Sequence, residues 1–192
     1  FQLDGERRPR CVAGVPPDYF TADGQLWGNP IYDWDYMKQT GYAWWMRRMR
    51  SACTLFDCVR IDHFRGLSSY WSVEASATTA RGGEWVKGPG SDFVDLLKES
   101  FPGFEIIAED LGFLTDEVRQ LLKSSGFPGM KVLQFAFDAR EPSNYLPHTY
   151  SRHCVCYAGT HDNTTVASWF DEADPEDAAF SFRYLGLNAQ EG

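Results

Sequence analysis

The sequence predicts a parallel α/β fold. Three observations carry that expectation: four short apolar runs rich in strand-forming residues, helical patterns and glycine-marked turns between them, and an acid at the end of three of the four runs. The runs are Leu55 to Ile61, Phe104 to Ala108, Met130 to Phe137 and His153 to Ala158, and the acids are Asp62, Glu109 and Asp162.

Taken in order, Cys11 to Pro30 reads as a long irregular segment. Gly14, Pro16, Pro17, Gly24, Gly28 and Pro30 punctuate it, and Tyr19, Phe20 and Trp27 stand between them. A long loop with this aromatic content suits ligand binding. Asp35 to Cys53 reads as helix interrupted at Gly41, with Trp45, Met46, Met49 and Ala52 recurring at helical spacing and expected in the core. After the first strand, Leu67 to Gly90 again reads as loop, and its Gly82, Gly83 and Lys87 do not follow the G-x-x-x-x-G-K-[ST] order of a phosphate loop. Ser91 is expected to cap a helix reaching Ser100, and Thr115 to open one that Gly126 ends. A further helix is expected near Thr164, and a last one from Asp174-Pro175.

Composition excludes some functions. A net charge of −9 opposes a partner held by its phosphates, since that needs clustered Lys and Arg, and the Arg47, Arg48 and Arg50 cluster is small; no nucleic-acid partner is expected. No apolar run is long enough to span a bilayer. The five cysteines, an odd number and mostly within or beside apolar runs, read as reduced and point to an intracellular or organellar compartment. Aromatic residues make up 16% of the chain, and many of them lie in Gly/Pro-rich stretches, which suits a flat-faced ligand such as a sugar ring. Neither Phe1 nor Gly192 has the setting of a terminus, so the chain is expected to be an internal piece of a longer protein.

Acids at the C-terminal ends of parallel strands face one cleft when the strands neighbour one another in a barrel. Two carboxyl groups about 5–5.5 Å apart suit retaining glycoside chemistry: one attacks the anomeric carbon and the other protonates the leaving oxygen. A third can hold sugar hydroxyls and stabilise developing positive charge. Arg60, two residues before Asp62, shares its strand face and sets a cation beside it. His63 and His161 can donate hydrogen bonds to sugar hydroxyls. Plainer readings stand beside these: an Arg60–Asp62 salt bridge, helix N-caps at Asp162 and Glu109, and histidines satisfied within core or loop. An acid recurring at three strand ends favours the catalytic reading. Among His153, Cys154, Cys156 and His161, His153 lies on one strand face and Cys154 and Cys156 on the other, and neither C-x-x-C nor H-E-x-x-H spacing occurs, so no zinc site is expected. Neither a G-x-S-x-G nucleophile turn nor an all-oxygen Ca²⁺ loop occurs.

Several motifs run in one order along nearly the whole chain. They are Val12 to Phe20, Gly24 to Pro30, Arg60 to Gly66, Trp85 to Gly90, Ile107 to Gly112, Gly126 to Phe135, and Gly159 to Asn163. Together they resemble the amylomaltases, or disproportionating enzymes, which are 4-α-glucanotransferases of the α-amylase clan. The resemblance implies an α/β fold of the (β/α)8 TIM-barrel type, with residues 1–192 forming part of one catalytic domain, roughly its fourth to seventh strands. It implies Asp62 as nucleophile, Glu109 as general acid/base and Asp162 as transition-state stabiliser. It further implies Arg60, His63 and His161 as polar contacts to the sugar, Trp27 with the Tyr19-Phe20 loop as aromatic contacts, and Phe135 as an apolar contact on the acceptor side. The implied substrates are α-1,4-glucans and glucose, with no cofactor and no membrane partner, in the cytoplasm or, in a plant or alga, a plastid. Glucan hydrolysis and glucan binding without catalysis are the alternatives.

Overall fold

Two stretches that read as loop form strands instead. In the computed structural model, which describes residues 1–18, 21–112, 114–140 and 143–187, Cys11–Val15 (β1) and Gln25–Pro30 (β2) pair antiparallel. Tyr19 and Phe20 lie outside the described residues. The glycine that suggested a loop is what lets these strands close: a Cβ on Gly14 would sit 2.3 Å from the Gln25 carbonyl oxygen.

Helices α1 (Trp34–Gln39) and α2 (Ala43–Leu55) follow, broken near Gly41 as expected, with Gly41 and Tyr42 both at positive φ. The Asp33 carboxylate caps α1 by accepting from the Tyr36 amide. Strand β3 (Cys58–Ile61) is shorter than its apolar run, because Leu55 still belongs to α2. Strands β4 (Ser69–Glu74) and β5 (Glu84–Lys87) then complete an antiparallel sheet of order β2-β1-β4-β5. Val12, Val73 and Ala80 form its small core.

Helix α3 (Gly90–Ser100) begins one residue before Ser91, with Pro89 at the cap position, so the expected Ser91 cap is not formed there. Strand β6 (Glu105–Ala108) pairs parallel with β3, Arg60 opposite Ile107 and Ile61 opposite Ala108. Helix α4 (Asp116–Ser125) follows the expected signals: the Thr115 hydroxyl accepts from the Val118 amide, and Gly126 closes it at φ 71°. Phe64, Phe93, Leu97, Ile106, Ala108 and Met49 form the principal core around the β3–β6 pair. Each large apolar side chain buried there contributes roughly 1.5–3 kcal/mol.

The second compact unit, Pro128–Gly192, is built separately from the first, Phe1–Phe127. Strands β7 (Gly129–Val132) and β8 (Cys154–Tyr157) pair parallel within it. The apolar run expected to extend to Phe137 leaves the strand at Leu133 for a 3-10 turn. Helix α5 (Val166–Glu172) is capped by Thr165, and α6 (Pro175–Leu185) by Asp174 with Pro at its first position. Thus the four expected strands exist and are parallel within each pair, and the fold is mixed α/β. Among the described residues no helix is long and apolar enough to cross a membrane.

Candidate active site

The first unit holds Trp27, Arg60, Asp62, His63 and Glu109 of the expected residues. Past Ile61 the chain leaves the ladder in a turn through Asp62 and His63, and a 3-10 turn, Phe64–Leu67, follows. Phe64 and Leu67 are buried and anchor that turn in the core. Asp62 consequently projects outward, its side chain 76% exposed, and Arg60 Nη2 lies 3.2 Å from its Oδ1.

Glu109 begins the segment after β6 and is held on every side by backbone. Its amide donates to the Ile61 carbonyl at 2.9 Å, and its carbonyl accepts from the Phe64 amide at 2.9 Å. The carboxyl group is also engaged: Oε2 accepts from the His63 amide at 2.7 Å and Oε1 from the Leu111 amide at 2.8 Å. Burial raises the carboxyl above its ordinary range, while the Leu111 and His63 N–H donors pull it down and Asp62 and Asp110 add to the rise. The net direction is upward, which suits a group that must keep a proton.

His63 adopts left-handed backbone, φ 48° and ψ 51°, a conformation uncommon for a residue with a side chain. Its ring meets the Trp27 ring edge to face, with centroids 4.9 Å apart. Burial, and secondarily the Arg65 guanidinium, lower the imidazole to about 4 against the opposing pull of Asp62. The ring is therefore neutral at neutral pH and offers one donor and one acceptor. Trp27 is partly exposed, and its indole N–H donates to Gln25 Oε1 at 3.0 Å. A cavity of about 590 Å³ is lined by Trp27, Arg60, Asp62, His63, Gly66 and Tyr70 among others. Glu109 does not line it and meets the segment through the His63 amide.

The second unit holds Phe135, His161 and Asp162. The turn after β8 is fixed by Asn163, whose Oδ1 accepts from the Thr160 amide and hydroxyl, each at 2.9 Å. Gln134 Nε2 donates to the Thr164 carbonyl at 2.8 Å, and Gly159 lies directly against the Gln134 amide group. Asp162 is left 79% exposed, with His161 Nε2 3.5 Å from its Oδ1. Phe135 is partly exposed and stands edge to face with Tyr145.

The N-cap readings of the two later acids do not hold, because Thr115 and Thr165 cap the helices that follow them. The short list of side chains drawn from the sequence omits two groups that bear on the site. One is the Leu111 amide, for which the Gly112 turn at φ 83° was the available signal. The other is Arg65, which lies over the Trp85 ring at 4.2 Å and bears electrostatically on His63.

Fold and site together define a mixed α/β chain whose parallel strands lead into exposed or backbone-held carboxyl groups, with aromatic side chains nearby. This is the setting of a carbohydrate-active protein. The chain belongs to the 4-alpha-glucanotransferase family, whose profile matches residues 1–191. It is 49% identical over 194 residues to a 4-alpha-glucanotransferase of Clostridium butyricum, covering 100% of this chain and 40% of the relative. With the Thermus thermophilus 4-alpha-glucanotransferase it shares 51% identity over 187 residues, covering 96% of this chain and 37% of that one. Among solved structures it resembles amylomaltase from Streptococcus agalactiae in complex with acarbose, with TM-score 0.94 and 41% identity over 100% of this chain and 39% of that one. The chain therefore spans about two-fifths the length of the relatives it matches.

Proposed function

We propose that this chain carries the catalytic carboxylates of a retaining 4-α-glucanotransferase. The raised Glu109 carboxyl, joined by backbone to the turn that presents Asp62, is the observation that supports this most strongly. In the first step an Asp62 carboxylate oxygen bonds to the anomeric carbon of the donor glucan. The bond from that carbon to the 4-oxygen breaks, and this oxygen takes the Glu109 proton. In the second step the 4-hydroxyl of an acceptor glucan gives its proton to Glu109 while its oxygen displaces Asp62 from the anomeric carbon. Asp162 stabilises the positive charge that develops on the sugar in both steps.

His63, His161 and Arg60 hold sugar hydroxyls in this proposal, Trp27 and the Tyr19-Phe20 loop stack on the glucan, and Phe135 contacts the acceptor. Shielding the covalent sugar from water lets an acceptor sugar compete for it. No cofactor enters either step. The two units are read as parts of one (β/α)8 barrel domain, roughly its fourth to seventh strands, which agrees with the chain spanning about two-fifths of its relatives. The proposed compartment is the cytoplasm, or a plastid in a plant or alga; an Arabidopsis thaliana relative, 44% identical, is a chloroplastic/amyloplastic 4-alpha-glucanotransferase.

Maltotriose given to the full-length protein tests the reaction. Glucose together with glucans longer than maltotriose is the expected product set. Glucose and maltose without longer products would show a hydrolase, and no conversion with retained glucan affinity would show a binding protein.

A further inference from the structure

We infer that Gly66 is a positioning residue for the acid/base carboxyl, acting by holding the His63 backbone in the left-handed turn that aims its N–H at Glu109 Oε2. The inference rests on the proposed role of Glu109. It assigns His63 two separable jobs, one for the ring and one for the amide.

The geometry is specific. The 2.7 Å bond from the His63 amide to Glu109 Oε2 links residues 46 positions apart, and it forms at a residue with φ 48°. Such a conformation costs an ordinary residue about 1–2 kcal/mol and persists only where its surroundings enforce it. Two neighbours enforce it here. The Gly66 amide donates to the His63 carbonyl at 2.8 Å, closing the turn. The His63 ring lies against the Cα of Gly66, where a Cβ would come 2.9 Å from Cδ2, and meets Trp27 on another side. Gly66 is not among the positive-φ glycines, so its backbone tolerates alanine and only the missing Cβ matters.

Gly66→Ala therefore drives the His63 ring toward Trp27, and the readiest relief is return of His63 to an ordinary φ. That rotation turns the amide away from Glu109. One donor to the carboxylate is lost, so the charged form of Glu109 is less favoured and its proton is held to higher pH. The other groups acting on Glu109 are the Leu111 amide, Asp62 and Asp110, and on His63 the Arg65 guanidinium. None of these is altered in composition by the substitution.

The test uses the full-length enzyme and the alkaline limb of kcat/KM for maltotriose, which reports the free enzyme's essential acid. Gly66→Ala is expected to move this limb up by about one pH unit, as loss of a hydrogen bond to a charged group implies. His63→Gly keeps the amide and the left-handed backbone while removing the ring, and is expected not to raise the limb. The double variant His63→Gly/Gly66→Ala removes the clash and should return the limb to the His63→Gly position. It also carries the test if Gly66→Ala alone does not fold. An unmoved limb in folded Gly66→Ala, or an upward shift in either variant lacking the ring, would overturn the inference. Glu109→Gln is measured alongside: if it keeps full transfer activity, the underlying role of Glu109 fails, whereas an inactive Glu109→Gln with an unmoved Gly66→Ala limb refutes the positioning role alone.

Discussion

Arg60 Nη2 lies 3.2 Å from Asp62 Oδ1, yet the two side chains differ in exposure, 28% for Arg60 against 76% for Asp62. A pair with one member this open to water contributes about 0–1 kcal/mol to stability. Arg60→Ala should therefore leave the melting temperature of the full-length protein within a few degrees of wild type. If the pair serves the reaction, the same substitution should lower kcat/KM for maltotriose by about 10²-fold, since an oriented cation beside the reacting acid is lost. Normal transfer with a large loss of stability would return the pair to a purely structural role.

Glu109 is raised above the ordinary glutamate range chiefly by burial. Its proton should thus be held to higher pH than that of an ordinary glutamate, and kcat/KM should fall on the alkaline side as that proton is lost. A pH profile of maltotriose conversion would show the limb; Glu109→Gln should cut kcat by about 10³-fold or more with natural glucan donors. Retention of more than a tenth of wild-type kcat would remove Glu109 from the mechanism.

The His63 imidazole titrates at about 4 in the folded chain against 6.5 unperturbed. Folded protein then binds fewer protons than unfolded protein between those values, so stability present above pH 6.5 is lost as pH falls toward 4. The loss is roughly 2–3 kcal/mol. His63→Asn keeps a residue that tolerates left-handed backbone and removes the titration. Denaturant unfolding of the full-length protein at neutral pH and near pH 4 should show a smaller acid loss in the variant; equal losses would refute the assignment.

Gly14 admits the Gln25 carbonyl where a Cβ would lie 2.3 Å away. Gly14→Ala should spread β1 from β2 and displace Trp27, two residues beyond Gln25. The expected effect is a rise in KM for longer glucans of about tenfold, with Trp27→Ala giving a comparable rise. A change confined to kcat in both variants would separate Trp27 from glucan binding.

The strand ends were legible because burial imposes a simple pattern: Cys58–Ile61 and Glu105–Ala108 pair parallel and bury Ile61, Ile106 and Ala108, and polar residues follow at once. Capping at Thr115, Gly126 and Asp174 was legible for equally local reasons. The antiparallel sheet was not. In β1 and β2 the glycines and the proline that permit close approach and end a strand are the same residues that signal loops, and the alternation of Val12 and Gly14 is too brief to outweigh them. In the candidate site the sequence could propose side chains, and Gly112 marked the turn that brings the Leu111 amide to Glu109, but the His63 donor left no such mark. The His63 amide reaches Glu109 only because β3 and β6 pair in register, a relation between segments distant in sequence.

The most direct measurement concerns Asp62. Full-length Glu109→Gln protein mixed with an α-maltosyl fluoride, whose fluoride leaves without a protonated acid, should form the covalent sugar and release it slowly for want of a base. Intact-mass and peptide mass spectrometry after acid quench should then show one added maltosyl group, located on the peptide containing Asp62. An adduct on another carboxylate, or none while fluoride is released and glucan transferred, would contradict the proposed double displacement through Asp62.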